Sequence, residues 1–221
     1  MTEYLSVKNL LIERDDRLLF KNLDFTLTAG DVIQLVGRNG SGKTSLIRTL
    51  LGLMPDFDGE LCWKGKPLFQ EKDDFFNNLL YLGHKASIKS ALTAKENLEW
   101  LVAPYYKVTD EKIEQALSEV GLRGYEDVEC HSMSAGQNRR VALAQLYLLD
   151  LPVWILDEPF TAIDLAGVAQ LEARIAEHAA QDGAVILTTH HVLEIDSVKR
   201  VNLDDFAPSS SASNAGGSHG S

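Results

Sequence analysis

The chain has 221 residues, enough to bury a full core and long for one domain, so one domain with an added lobe is expected. Its formal net charge of −11 argues against a nucleic-acid surface, which needs a basic patch. No apolar run reaches the roughly 18 to 20 residues of a membrane helix, and Met1-Thr2-Glu3-Tyr4-Leu5 lacks both the basic region and the apolar core of a signal peptide, so a cytoplasmic protein is expected.

Tyr4 to Ile12 alternate well enough for an opening strand. Asp15-Asp16-Arg17 reads as a turn, after which Leu23, Phe25 and Leu27 alternate with polar residues as in a half-buried strand. Ala29-Gly30-Asp31 turns the chain into Asp31–Val36, a short apolar run suited to a buried strand. Next comes Gly37-Arg38-Asn39-Gly40-Ser41-Gly42-Lys43-Thr44, which fits G-x-x-x-x-G-K-[ST], the phosphate-cradling P-loop. Behind it Leu46, Ile47, Leu50 and Leu51 recur at helical spacing, and Gly52 stands where a glycine cap belongs. The motif therefore sits between a strand and a helix, the context that distinguishes it from a glycine-rich turn without a ligand. Three glycines let the backbone wrap closely around a polyphosphate with its N–H groups pointing inward. The helix beginning near Lys43 adds the partial positive charge of its N-terminus. Lys43 can reach the β- and γ-phosphates of a nucleotide such as ATP, and Thr44 can offer its hydroxyl to Mg²⁺.

Pro55 to Gly65 reads as a loop and a short hairpin around Leu61-Cys62-Trp63, residues 71–78 as a connector, and Leu79–Gly83 as a buried strand. Cys62 and Cys130 lack metal-ligand spacing and are expected to remain thiols. Between Ser87 and Asp150 the character turns helical. Thr93-Ala94-Lys95-Glu96 matches a capping box, opening a helix that Pro104 ends. Ile113, Leu117 and Val120 mark a second helix, closed by Gly121. A third opens at Ser134, which can cap it while Gln137 reaches back. This block, about 84–149, reads as a helical lobe inserted into an α/β core of about 1–83 and 150–206.

The core resumes with Pro152–Glu158, a buried strand ending in two carboxylates. A helix with Val168, Leu171 and Ile175 on one face follows, and then Ala184–Thr189, the last core strand expected, with His190-His191 at its end. Strands alternating with helices imply a parallel sheet, whose ligand crevice lies beyond the carboxyl ends of its strands. Gly37, Asp157, Glu158 and His190 all fall there. Residues 207–221 are low-complexity and are expected to be a mobile tail. Chemically, Asp157 can hold Mg²⁺ and Glu158 can polarise the water that attacks a γ-phosphate in line.

Met133-Ser134-Ala135-Gly136-Gln137 resembles the LSGGQ signature of ABC transporter ATPases. Gly37–Thr44 then resembles Walker A, Val153–Glu158 Walker B and Thr161-Ala162-Ile163-Asp164 the D-loop, with His190 at the switch histidine, all in family order over residues 1 to about 206. The resemblance implies a P-loop NTPase core, a RecA-like and mostly parallel sheet with N-terminal antiparallel strands, carrying an inserted α-helical lobe. It also implies a homodimer around two ATP molecules, each held between one P-loop and the partner copy's Ser134, Gly136 and Gln137. A serine hydroxyl and a helix N-terminus do make an anion site, and capping the helix is compatible with that role. Two positions depart from the family pattern. His84 stands where a glutamine is usual, and either takes its coordinating role or contacts a partner. Arg14 aligns with an aromatic residue that stacks on adenine; a guanidinium plane can stack too, or the side chain is simply exposed. His191 is expected at the surface.

Tyr81-Leu82-Gly83-His84, Ser134–Ala144 and Trp154–Asp164 resemble one subfamily, the ATP-binding subunits of bacterial cytochrome c maturation. That resemblance implies integral-membrane ABC subunits as partners, a peripheral position on the cytoplasmic face of the inner membrane, and ATP-driven release of a haem chaperone. The sequence itself contains no haem-binding motif. The ATPase of another small-molecule or lipid transporter, or a soluble ABC ATPase, are the other readings.

Overall fold

Alternation of side chains along a central sheet gives the protein two hydrophobic clusters, one on each face. The computed structural model describes residues 2–208, so the expected tail lies, from residue 209 on, outside the described residues. The central sheet has the order β6-β7-β8-β3-β9 and is parallel throughout, from β3 (Val32–Val36), β6 (Leu79–Leu82), β7 (Val153–Asp157), β8 (Ala184–Thr188) and β9 (Lys199–Asn202). β7 and β8 are buried at every position, as apolar strands covered on both faces must be.

On one face Ile33, Leu35, Ile155 and Ile186 meet a second, antiparallel sheet of order β2-β1-β4-β5. It comprises β1 (Glu3–Arg14), β2 (Arg17–Thr28), β4 (Asp58–Trp63) and β5 (Lys66–Pro67). β1 and β2 are joined by Asp15 and Asp16 at φ 52° and 57°. Two consecutive left-handed residues define the hairpin turn that matches strand twist, and aspartate tolerates that region better than most residues. Helix α1 (Lys43–Leu50) packs into the same cluster through Leu46, Ile47 and Leu50. Its end is a Schellman cap: Leu53 N–H donates to the Arg48 carbonyl at 2.8 Å and Gly52 N–H to that of Thr49 at 2.9 Å, with Gly52 at φ 67°.

On the other face Trp154, Leu156, Val185 and Leu187 meet helices. These are α3 (Ala94–Val102), α4 (Asp110–Glu119), α5 (Ala135–Leu143) and α6 (Gln145–Leu148), all between β6 and β7, and α7 (Leu165–Ala180) between β7 and β8. The capping boxes of Thr93 with Glu96 and of Ser134 with Gln137 both form, and Gly121 closes α4 at φ 73°. No helix among the described residues is long and apolar enough to cross a membrane.

Two elements differ from the sequence expectation. Residues 71–78 are not a plain connector but hold the short helix α2 (Lys72–Asn77), fixed by buried Phe75 edge-on to Trp63 at 5.2 Å and by the Trp63 indole N–H donating to Asp74. The sheet also continues past β8, because β9 pairs with β3 at the edge, where Lys199 and Arg200 face solvent.

Candidate active site

The carboxyl ends of β3, β7 and β8 open into one cavity of about 640 Å³, lined by Arg14, Asp15, Arg17, Leu19, residues of the P-loop, His84, Asp157, Glu158, Thr188 and His190. Gly37, Gly40 and Gly42 adopt φ of 146°, 80° and 104°. At Gly37 a Cβ would lie 2.5 Å from Ser41 Oγ, so the tight loop itself requires glycine there. The loop's own backbone bonds are Ser41 N–H to Arg38 and Leu46 N–H to Gly42; among the described residues the amides of Gly40, Gly42, Lys43 and Thr44 find no acceptor. Buried Ser41 Oγ likewise has no partner. A ring of unspent donors at a helix N-terminus fits a polyphosphate. Lys43 Nζ lies over the loop, donating to the Gly37 carbonyl at 2.5 Å and to Arg38's at 3.3 Å. Arg38 turns away from the cavity, its N–H and Nε on the carboxylate of Asp204.

At the end of β7, one residue of β8 sets both carboxylates. Thr188 Oγ1 donates to Asp157 Oδ1 at 2.7 Å and accepts the Glu158 N–H at 3.0 Å. Thr188 follows from the register, which pairs it with Asp157, and no sequence motif marks it. Asp157 keeps a second oxygen, and the exposed Thr44 supplies a hydroxyl, a hard donor set of the kind Mg²⁺ takes. His190 Nε2 stands 3.6 Å from Glu158 Oε1. Arg14 also lines the cavity, its Nε 3.3 Å from Asp15 Oδ2, and among the described residues no Phe, Tyr or Trp lines it.

Ser134, Gly136 and Gln137 lie outside this cavity, at the start of α5. Ser134 Oγ accepts the Gln137 N–H at 3.2 Å and Gln137 Oε1 accepts the Ser134 N–H at 2.9 Å. A Cβ on Gly136 would fall 2.6 Å from the Ala162 carbonyl, so the stretch Thr161–Asp164 already demands glycine at that position. Asp164 caps α7 through the Gly167 N–H and meets Arg140 at 2.6 Å. His191 is at the surface only in part, its side chain 34% exposed. Its Nε2 lies 3.3 Å from the Glu172 carboxylate and its ring against Phe160. Cys62 and Cys130 are both free thiols, and burial raises the Cys130 thiol above its ordinary value.

A sequence model of the ABC transporter family matches residues 20–161. The cytochrome c biogenesis ATP-binding export protein CcmA of Pseudomonas putida (strain KT2440) is 57% identical over 209 residues, covering 94% of this chain and 100% of that protein. CcmA of Escherichia coli O157:H7 is 48% identical over 202 residues, covering 90% of this chain and 96% of the relative. Among solved structures, an ABC transporter ATP-binding protein from Pyrococcus furiosus superposes with a TM-score of 0.80 at 25% identity, over 92% of this chain and 99% of that one.

Proposed function

The chain belongs to the ABC transporter ATPase family, and from that premise we propose that it is the ATP-hydrolysing subunit of a cytochrome c maturation system. The observation that carries this reading is the 57% identity extending over the whole of a protein whose name joins cytochrome c biogenesis, ATP binding and export. In this reading the subunit forms a homodimer closed around two ATP molecules. It sits on integral-membrane subunits at the cytoplasmic face of the inner membrane, and ATP use releases a haem chaperone.

The chemistry follows from the cavity. The P-loop amides and Lys43 bind the phosphates, with Lys43 exchanging its loop carbonyls for phosphate oxygens. Glu158 orients and polarises the attacking water, and His190 beside it contacts the γ-phosphate side. Mg²⁺, held by Thr44 and Asp157, would offset the negative charge developing between the β- and γ-phosphates. Ser134, Gly136 and Gln137, with the N-terminus of α5, serve the partner copy's γ-phosphate. His84 links the cavity to the helical lobe, and Arg14 offers its guanidinium plane to the base. Closure of the dimer is the bistable step, and ATP drives it through its higher affinity for the closed state.

Glu158→Gln spares the phosphate cradle and removes the group that orients water. With MgATP it is expected to turn over very slowly and to accumulate as a closed dimer on sizing chromatography. Turnover equal to wild type would remove Glu158 from the mechanism. In cells, Lys43→Ala or Glu158→Gln is expected to abolish mature c-type cytochromes while b-type cytochromes persist. Normal haem attachment in such a strain overturns the cytochrome c role and leaves the family membership intact.

A further inference from the structure

The least solvated charge near the cavity belongs to a side chain that does not line it. Arg139, on α5, is 4% exposed and makes no ion pair among the described residues. A guanidinium buried without a carboxylate is costly unless its donors are filled. Here carbonyls fill them: Nη1 donates to Gly83 at 2.8 Å, Nη2 to Glu158 at 2.9 Å and Asp157 at 3.2 Å, and Nε to Pro159 at 3.4 Å. One planar fork thus joins three segments: the helix that Ser134 opens, the end of β6 just before His84, and the turn that carries Glu158.

That turn is strained. Glu158 sits at φ 50°, a left-handed conformation uncommon for any residue but glycine. Such a backbone persists only where its surroundings over-determine it. Both of its polar groups are fastened from opposite layers. Its N–H donates to the carbonyl and hydroxyl of Thr188 in the sheet, at 3.1 and 3.0 Å, and its carbonyl accepts from Arg139 in the helical layer at 2.9 Å and, more weakly, from the Thr161 N–H of its own turn at 3.3 Å. Without Arg139 the carbonyl keeps only the longer bond from the Thr161 N–H of its own turn, and its tie to the helical layer is lost.

We propose that Arg139 is a positioning residue for Glu158, holding its strained backbone in the geometry that orients the attacking water and carrying displacements of the α5 helix to it and to the His84 loop. This rests on the reading of Glu158 given above. Lysine is not an equivalent, because one ammonium cannot span Gly83 and Glu158 together.

The test uses the full-length protein purified in detergent with the membrane subunits that accompany it. Arg139→Lys and Arg139→Gln are made in the wild-type and in the Glu158→Gln background, with turnover read against MgATP concentration and folding by thermal unfolding. In the wild-type background kcat is expected to fall on the order of 10- to 100-fold with KM nearly unchanged. Arg139→Lys is expected to recover thermal stability lost in Arg139→Gln without recovering kcat. In the Glu158→Gln background, single-turnover hydrolysis is expected to fall no further. A rise in KM at constant kcat, or the same fold loss in both backgrounds, overturns the proposal. Should Arg139→Gln fail to fold, Arg139→Lys decides alone. Slow turnover in Glu158→Gln with normal kcat in the Arg139 variants defeats this inference only, whereas normal turnover in Glu158→Gln removes its premise as well.

Discussion

At Gly40 and Gly42 the same residue type answers two different demands. A Cβ on Gly42, at φ 104°, would lie 2.9 Å from the ring of Phe20, which is fully buried and cannot give way. A Cβ on Gly40, at φ 80°, would meet nothing within 4 Å, and Gly40 lines the cavity. Gly40→Ala therefore carries only the left-handed penalty, about 1–2 kcal/mol, while its methyl group crowds the space meant for phosphate. Gly42→Ala adds a clash with the core to a comparable penalty and is expected to cost roughly 2–4 kcal/mol. Urea unfolding without nucleotide and nucleotide titration of the folded proteins separate the two. The expected pattern is Gly40→Ala folded with weakened binding and Gly42→Ala markedly less stable. Equal unfolding free energies for the two variants would mean that Phe20 does not dictate the second glycine.

Helix starts offer a matched pair. Thr93 and Ser134 each open a helix with a complete capping box, yet α3 begins away from any proposed site and α5 begins at the stretch proposed to meet a partner's ATP. Thr93→Ala and Ser134→Ala are each expected to cost about 1 kcal/mol of stability. Only Ser134→Ala is expected to lower ATP turnover as well; parallel effects on stability and turnover in both variants would reduce Ser134 to a cap. These boxes were legible in the sequence because a cap is a four-residue matter, and the P-loop and the Val153–Glu158 strand were legible because motif and flanking periodicity adjoin. The elements that escaped lack such local marks. α2 has six residues, too few to display a period, and β9 is a half-exposed edge strand with charged residues facing out. Thr188 and Arg139 matter through partners 18 to 56 positions away, and those contacts exist only once register and helix packing are set. The partial burial of His191 has the same origin: Glu172, whose carboxylate stands 3.3 Å from it, belongs to the preceding helix.

For the molecule as a whole, the helical layer is locked to the central sheet by a stack that carries an acid sensitivity. His178 of α7 lies flat on Trp154 of β7, with centroids 3.6 Å apart and planes 3° from parallel, and Arg174 approaches the Trp154 ring at 5.2 Å. Gly183 has no side chain because the imidazole occupies that space: a Cβ there would overlap the ring. Burial pushes His178 down to about 4, and the Arg174 charge acts in the same direction against the milder opposing effects of the Pro152 carbonyl and Asp150. A histidine depressed in the folded state stays neutral there while the unfolded chain takes up a proton near its ordinary value of 6.5. Between those two values the unfolded state binds more protons. Stability from this group is therefore complete above the upper value and declines as pH falls toward the lower one, by roughly 3 kcal/mol in all. His178→Phe keeps a flat ring against Trp154 and cannot protonate. Urea unfolding at neutral pH and at about pH 4.5, where most of that loss is expected, should give a smaller pH difference for His178→Phe than for the wild type. Carboxylates and the overall charge titrate alike in both proteins and cancel in the comparison. An undiminished difference in His178→Phe would place the acid sensitivity elsewhere than in this stack.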